Sequence, residues 1–373
     1  MSVLRCDVVV VGGGPAGLAT AVALRRMDHT VTVLERTYYL APRVGEHIPP
    51  GAKTVLASLG LADVIASERH AACPGIRSVW GSDEPQDRDY LFHVAGEGLN
   101  LSRPEFDRDF AALAGRAGAT VLTRARLTHL SRAGGLWDLS AQHAGGPAEI
   151  RCRVVVDATG RAASVAKRLG ALPIVYDELV GIVGNVAVAK RGNHLVLIEA
   201  LPDGWWYSAG LADDRVIATF LTDPERTETS RAARSDFWHA RLGAARLTAE
   251  RTGSIDRTGD LQVRTARTQR LDEAAGEGWL AVGDAAMSFD PLSSEGISKG
   301  LEWGTKAAVT AAALCRGDQS AAQAYRYEIG KTFADYLVTR YRYYAVEKRW
   351  PNAPFWRRRQ QPPAPIKLVG PAG

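Results

Sequence analysis

Three groups of residues, far apart in the chain, have the types and spacing to hold an anionic dinucleotide. The first is Gly12-Gly13-Gly14-Pro15-Ala16-Gly17, with Glu35 eighteen residues beyond its last glycine. The second is Asp157-Ala158-Thr159-Gly160-Arg161, and the third is Gly283-Asp284-Ala285-Ala286 leading into Asp290-Pro291-Leu292. In a glycine loop of this spacing, Gly12 permits the tight turn and Gly17 lets the following helix pack close. Gly14 admits a pyrophosphate because no Cβ stands in the way. Pro15 and Ala16 open a helix whose free N–H groups and positive dipole end face the phosphates. Glu35 can accept hydrogen bonds from ribose hydroxyls, and Arg36 beside it is counted with the cofactor-binding residues. Each group alone is a weak sign. In this order and at this spacing they identify FAD and restrict the chemistry to redox or oxygen chemistry on a bound ring.

The elements that must position these groups follow from local pattern. Cys6 to Val11 is a valine-rich run that predicts a buried parallel strand, with a helix from Pro15 to about Met27 and a second strand from Thr30 to Leu34. Helices are expected around Ala52 to Leu59 and Phe106 to Gly118. Thr120 to Leu130 and Leu136 to Ala141 read as a hairpin, and Ile150 to Val156 as the strand that ends at the second motif. Short runs over 175–265, separated by Asn, Asp, Gly and Pro, predict a mostly antiparallel sheet. Trp279 to Val282 feeds the third motif, and helices follow from Gly296 to Cys315 and from Ala321 to Lys348. On the last of these, Phe333, Leu337, Tyr341 and Tyr344 form a core stripe.

The expected fold is α/β: a discontinuous Rossmann-like FAD-binding domain (1–75, 100–172 and 272–320) with an inserted, mainly antiparallel β-sheet substrate domain (76–99 and 173–271) and C-terminal helices (321–359). Residues 360–373 are expected to lack fixed structure, and Arg357-Arg358-Arg359 to belong to a solvated tail. No second glycine fingerprint follows a strand, so no dedicated nicotinamide domain is expected.

Bulk properties narrow the class. The 373 residues are 46% hydrophobic and 23% charged, a globular composition, with a net charge of +5. This mild, dispersed basicity suits anionic cofactors and shows no basic and aromatic stripe for nucleic acid. Cys6, Cys73, Cys152 and Cys315 form no C-x-x-C pair and accompany no His cluster, so reduced thiols, a cytoplasmic location and no metal are expected. No apolar run is long enough for a membrane span.

Beyond the three motifs, five segments carry a resemblance: Val44-Gly45-Glu46-His47-Ile48-Pro49-Pro50, Arg77-Ser78-Val79-Trp80-Gly81-Ser82-Asp83, Gly204-Trp205-Trp206-Tyr207-Ser208-Ala209, Asp290-Pro291-Leu292-Ser293-Ser294-Glu295-Gly296-Ile297, and Arg349-Trp350-Pro351 with Pro354-Phe355-Trp356. The chain resembles the flavoprotein monooxygenases of the para-hydroxybenzoate hydroxylase fold, in their tryptophan-halogenase branch. Within that branch it is similar to the maturases of cysteine-tryptophylquinone enzymes. By position, the resemblance implies that Gly12, Gly14 and Gly17 hold the pyrophosphate and Glu35 the adenosine ribose. Arg43 and Arg103 would sit near the cofactor, Asp284 on its ribityl or pyrophosphate side, and Pro291, Gly296 and Ile297 along the isoalloxazine. Alternatives stand beside these roles. Arg43 and Arg103 also suit surface ion pairs, and Asp157, before Gly160, suits bracing the turn as well as touching FAD.

Departures from the halogenase pattern bear on the reaction. A halogenase needs a buried lysine between flavin and substrate, yet no lysine occurs between Lys53 and Lys167. Its W-x-W-x-I-P stretch is replaced by Trp205-Trp206-Tyr207-Ser208-Ala209. Glu295 stands where halide would bind, and an ionised carboxylate there repels chloride. The resemblance therefore implies hydroxylation: reduced FAD takes up O2 as a C4a-hydroperoxide whose terminal oxygen attacks an electron-rich ring. The acceptor it suggests is a tryptophan of a precursor polypeptide of a quinone-cofactor amine dehydrogenase or oxidase. Electrons would come from NAD(P)H or a separate flavin reductase. Trp205, Trp206 and Tyr207 are the expected substrate wall, facing Glu46 and His47. Glu46, His47 and Glu295 are the candidate proton carriers, and each equally suits a satisfied hydrogen-bonding residue. A small phenol or indole as substrate, halogenation, and a non-catalytic FAD-binding chaperone are the alternative functions.

Overall fold

Val8, Val9 and Val10 are wholly buried at the centre of a six-stranded sheet, which explains a strand with no polar face. The strand order is Ala275–Gly276, Trp279–Ala281, Val154–Asp157, Val8–Val11, Val31–Leu34, Thr120–Leu122. The last five strands run parallel, with Val8 opposite both Val31 and Val154. The structure is a computed structural model and describes residues 3–188, 193–227, 230–253 and 260–366.

The helices Pro15–Arg25 and Gly296–Cys315 pack on each other against this sheet. Their contact is close because Gly304 faces Ala19. A Cβ on Gly304 would lie 2.6 Å from that of Ala19 and 2.7 Å from the Ala16 carbonyl. This packing brings the N-terminal ends of both helices to the wall of one cavity. A four-stranded sheet of Leu4–Arg5, Gly146–Cys152, Leu136–His143 and Arg126–Ala133 adds Trp137, Leu139 and Ile150 to the same core.

Two runs that read as single strands are each divided. Thr120–Leu122 lies in the parallel sheet and Arg126–Ala133 in the four-stranded one, with Arg124 between them at φ 49°. Likewise Gly146–Cys152 and Val154–Asp157 flank Arg153 and serve different sheets. Apolar periodicity runs through both breaks because each half faces the shared core.

The second large sheet has seven strands, in the order Gln262–Thr265, Val180–Ala187, Arg215–Thr222, Gly204–Gly210, Val196–Leu201, Gly75–Val79, Gln86–Asp89. Every pairing is antiparallel except Val196–Leu201 with Gly75–Val79. Two helices within this region, Arg231–Gly243 and Arg246–Thr252, lay outside the sequence expectation. Ser230 caps the first by accepting from the Ala233 N–H, and its buried Trp238 and Leu242 cover the sheet.

The helix Ser320–Val346 buries Phe333, Leu337 and Tyr344. The arginine cluster beyond it is not a solvated tail. Pro354–Arg359 is a helix, and Arg359 is only 2% exposed. Its guanidinium donates to both oxygens of Asp177 and to Asp223. A cation so paired can be buried, which composition alone does not reveal. Residues 360–366 carry no element, and the remainder of the expected tail lies outside the described residues. Cys73, Cys152 and Cys315 are buried free thiols, and no helix among the described residues is long and apolar enough to cross a membrane.

Candidate functional site

A cavity of about 300 Å³ lies between the parallel sheet and the seven-stranded one. The glycine loop forms one end of it through Gly14, Pro15, Ala16 and Gly17. Gly12 has φ +114°, and a Cβ there would collide with the Ala158 carbonyl; one on Gly17 would collide with the Gly12 carbonyl. These two glycines serve the fold. A Cβ on Gly14, Gly160 or Gly296 would meet nothing within 4 Å. Such open backbone beside two helix N-termini is a cradle that fits a pyrophosphate.

Glu35 is buried, and its carboxylate is heavily engaged. Oε2 accepts from the Gly13 N–H at 2.9 Å, while Oε1 accepts from Thr37 and from Arg43 Nη2. Arg43 also pairs with Asp107, to which Arg103 is paired as well. Arg103 further donates through Nη1 to the carbonyls of Val44 and Gly45, at 2.6 and 2.9 Å. The two arginines are thus neither surface ion pairs nor free cations. They clamp the 36–46 segment to the helix Arg103–Arg116, and Arg103 also lines the cavity. Arg36 is exposed and outside the cavity lining.

Asp157 is wholly buried and braces its own turn. Oδ1 accepts from Thr159 and Oδ2 from the N–H groups of Val165 and Ala166. Its neighbours Ala158 and Gly160 reach the cavity, as do Gly283 and Asp284. Arg161 joins the second and third motifs: it pairs with Asp284 at 3.1 Å and donates to the Phe289 carbonyl.

Asp290, Pro291, Gly296 and Ile297 line the cavity. Asp290 holds its loop rigidly, with Oδ1 accepting from the Leu292 N–H and Oδ2 from Tyr344 Oη and Arg340 Nε. Arg340 and Tyr344 were not expected as supports of this loop. Their only sequence signal is a position on a helix remote from it.

The candidate proton carriers differ sharply in setting. His47 sits in a strand paired to Gly98–Asn100. Its Nδ1 lies 3.2 Å from Asn100 Oδ1 and its Nε2 3.3 Å from Tyr90 Oη. Asn100 gives its amide hydrogens to the carbonyls of His194 and Gly210, so Oδ1 must be the atom facing His47. His47 therefore donates from Nδ1 and accepts at Nε2, and burial holds its pKa down to about 4. Glu46 is 2% exposed, lines the cavity, and has no partner for either carboxylate oxygen. Burial pushes its pKa up to about 7 despite the nearby Arg103. Glu295 is half-buried at the start of the helix Gly296–Cys315 and also lines the cavity.

The opposite wall comes from the seven-stranded sheet, and strand parity decides which side chains reach it. Gly181, Val183, Tyr207, Thr219 and Leu221 share the cavity face. Trp206 pairs with Phe220 on the other face and packs against Trp238. Trp205 shares the face of Tyr207 but is buried under the C-terminal helices, donating from Nε1 to Tyr344 Oη at 3.1 Å. Of the three aromatic residues expected on the wall, only Tyr207 lines the cavity. Gly181 and Thr219, which no motif marked, stand beside it. Among the described residues, no lysine lines the cavity.

Comparison with known proteins agrees with this geometry. The FAD-binding domain family matches residues 5–338. LodB of Marinomonas mediterranea, a protein assigned as an FAD-dependent oxidoreductase, is 31% identical over 361 residues, 95% of this chain and 96% of LodB. The solved structure of QhpG, a peptidyl tryptophan dihydroxylase essential for tryptophylquinone cofactor biogenesis, superposes with a TM-score of 0.82 at 27% identity, covering 98% of this chain and 81% of QhpG. The myxobacterial chondrochloren halogenase CndH shares the fold, with a TM-score of 0.88 at 20% identity over 96% of this chain and 86% of its own. A glycine cradle, the arginine-clamped segment 36–46 beside it and a family match over most of the chain lead to one conclusion: this chain belongs to the FAD-binding domain family and is an FAD-dependent oxidoreductase of the monooxygenase and halogenase-like group.

Proposed function

We propose that the protein hydroxylates an electron-rich aromatic ring, and that this ring is a tryptophan side chain of a precursor polypeptide. The observation that carries the reading is the continuous cavity from Gly14 to Tyr207, which joins an FAD cradle to a sheet wall with no lysine among the described residues that line it. Gly14, Pro15 and Gly160 would hold the pyrophosphate, Asp284 the ribityl chain, and Pro291 with Gly296 and Ile297 the ring system. Bound and reduced, FAD supplies an electrophilic oxygen atom taken from O2. The chain's own residues then exclude water, hold the acceptor ring and manage protons. Gly181 and Thr219 leave room for a flat ring, and Tyr207 offers an aromatic face and a hydroxyl. The likeness to QhpG, at 27% identity over nearly the whole chain, supports a peptidyl tryptophan as that ring.

The test is to incubate the FAD-loaded enzyme, a reductant and labelled O2 with a tryptophan-bearing precursor polypeptide. Mass spectrometry should show one or two labelled oxygen atoms on tryptophan. Incorporation of chlorine in the presence of chloride, with no oxygen added, would transfer the reading to halogenation. A reduced flavin that fails to consume O2 would remove the enzymatic reading altogether.

A further inference from the structure

Glu46 is unusual among the buried polar residues of this chain. Both carboxylate oxygens lie in the cavity wall without a hydrogen-bond partner, a position shared in that wall among the described residues by Ser294 Oγ and Arg161 Nε, neither of which is an acid. Arg103 is the cation whose charge acts on it, yet its guanidinium is spent on Asp107 and on the carbonyls of Val44 and Gly45. It thus fixes the turn that presents Glu46, with Gly45 at φ +92°, and leaves the acid itself unpaired. His47, the next residue and the first of a strand, has both ring nitrogens occupied. A burial so complete and so unpaired costs free energy in the folded protein, and a site in contact with ligand is where such a cost is retained.

We propose that Glu46 is the proton carrier of the site, taking the proton that the substrate ring loses on hydroxylation and passing it to the oxygen atom that leaves as water. This rests on the monooxygenase reading above. In the step, one atom of O2 bonds to a ring carbon and the ring C–H bond breaks, its electron pair returning to the ring. The C–H proton moves to the Glu46 carboxylate. The O–O bond breaks, and the second oxygen departs with a hydride equivalent, two electrons and one hydrogen, from reduced flavin. It then takes the Glu46 proton to become water, while the new ring oxygen takes one proton from solvent. Glu46 ends as it began.

Placement supports this role. Glu46 shares the cavity with the glycine loop on one side and Tyr207 on the other. Burial, and then the charge of Glu46, raises the Tyr207 pKa, which puts the two groups within electrostatic reach. The groups facing Glu46 are Arg103 from its helix, Tyr207 from the sheet and His47 from its own strand. Arg161, Asp284, Arg264 and Glu295 stand around the remaining cavity. Burial holds Glu46 half-ionised near neutrality, able both to accept and to release a proton.

The experiment compares wild type, Glu46→Gln and Glu46→Asp. First, infrared difference spectra of the FAD-loaded protein, titrated with base, should show a carboxylic-acid C=O band that disappears near neutral pH and is missing from E46Q. Binding of free indole should shift that band. Second, with reduced FAD, O2 and the precursor polypeptide, E46Q should hydroxylate about 10²-fold more slowly or worse, releasing hydrogen peroxide instead. E46D should recover part of the rate. A band that is absent, or that indole leaves unmoved, overturns the proposal. So does an E46Q enzyme with wild-type rate and pH profile. A wild type that leaves the polypeptide unchanged while indole shifts the band overturns the substrate reading and leaves Glu46 standing.

Discussion

Arg161 and Asp284 meet at 3.1 Å between Nη1 and Oδ2, and in doing so they tie the second motif to the third across more than a hundred residues of chain. The pair lies beside Gly160 and Gly283 on the cavity wall, so the three motifs are physically one structure. What each of their residues does can be separated by substitution.

Gly14 and Gly12 should respond differently to an added side chain. Gly14 has φ −81°, and its missing Cβ points into open space. Gly14→Val should fold with an unchanged denaturation midpoint and purify without yellow flavin absorbance. Gly12→Ala should lose about 1–3 kcal/mol or more, because it needs a positive φ and meets the Ala158 carbonyl. Parallel thermal scans and flavin spectra check both; a yellow Gly14→Val protein would contradict the cradle.

The buried acid also predicts a pH dependence of stability. Burial raises the folded-state pKa of Glu46 to about 7 from an ordinary 4.5. Between those values the unfolded chain releases a proton that the folded protein keeps. The contribution of Glu46 is therefore most favourable below pH 4.5 and declines as pH rises to 7, by about 3 kcal/mol in total. Glu46→Gln apoprotein should lack this decline, gaining on wild type at pH 8 relative to pH 5. Urea midpoints at the two pH values measure it.

Arg359→Ala should cost about 3–5 kcal/mol, since it removes the buried cation that Asp177 and Asp223 share and leaves them with Arg340 and the exposed Arg358 alone. Arg357→Ala, on the exposed side of the same helix, should stay within about 0.5 kcal/mol. Equal effects in chemical denaturation would count against the buried network.

Trp206 and Tyr207 are neighbours in sequence with opposite tasks. Trp206→Ala should destabilise by about 3–5 kcal/mol, because it empties the contact with Phe220 and Trp238. Tyr207→Phe should preserve stability and FAD binding while slowing oxidation of the ring substrate. Steady-state kinetics set beside melting curves will separate the two.

The glycine loop and its partner motifs were readable from sequence because backbone geometry leaves few residue choices there: Gly12 and Gly283 both sit at positive φ. The substrate wall was less readable. Trp205, Trp206 and Tyr207 look alike as a run, and only knowledge of which sheet face meets the cavity singles out Tyr207. Asp157 carried two readings, and the bracing one matches its hydrogen bonds, which close locally over Thr159 to Ala166. Arg359 was misread as solvated because its partners lie 182 and 136 positions away. His47 presented the same difficulty: the burial that keeps it neutral, against the pull of its bond to Asn100, is brought in by tertiary pairing.

Asp290, Arg340, Asp177, Arg359 and Asp223 form an unbroken line of alternating charges from the Pro291 loop to the final helix. A deletion reaching upstream of Gln360 would therefore not merely trim the molecule. With Arg359 gone, Asp223 would keep only the exposed Arg358 and Arg340 would have to neutralise two acids alone, loosening its grip on Asp290. The helix Pro354–Arg359 is in this sense an anchor for the loop that a flavin would rest against, and its loss should be felt first as weakened coenzyme retention.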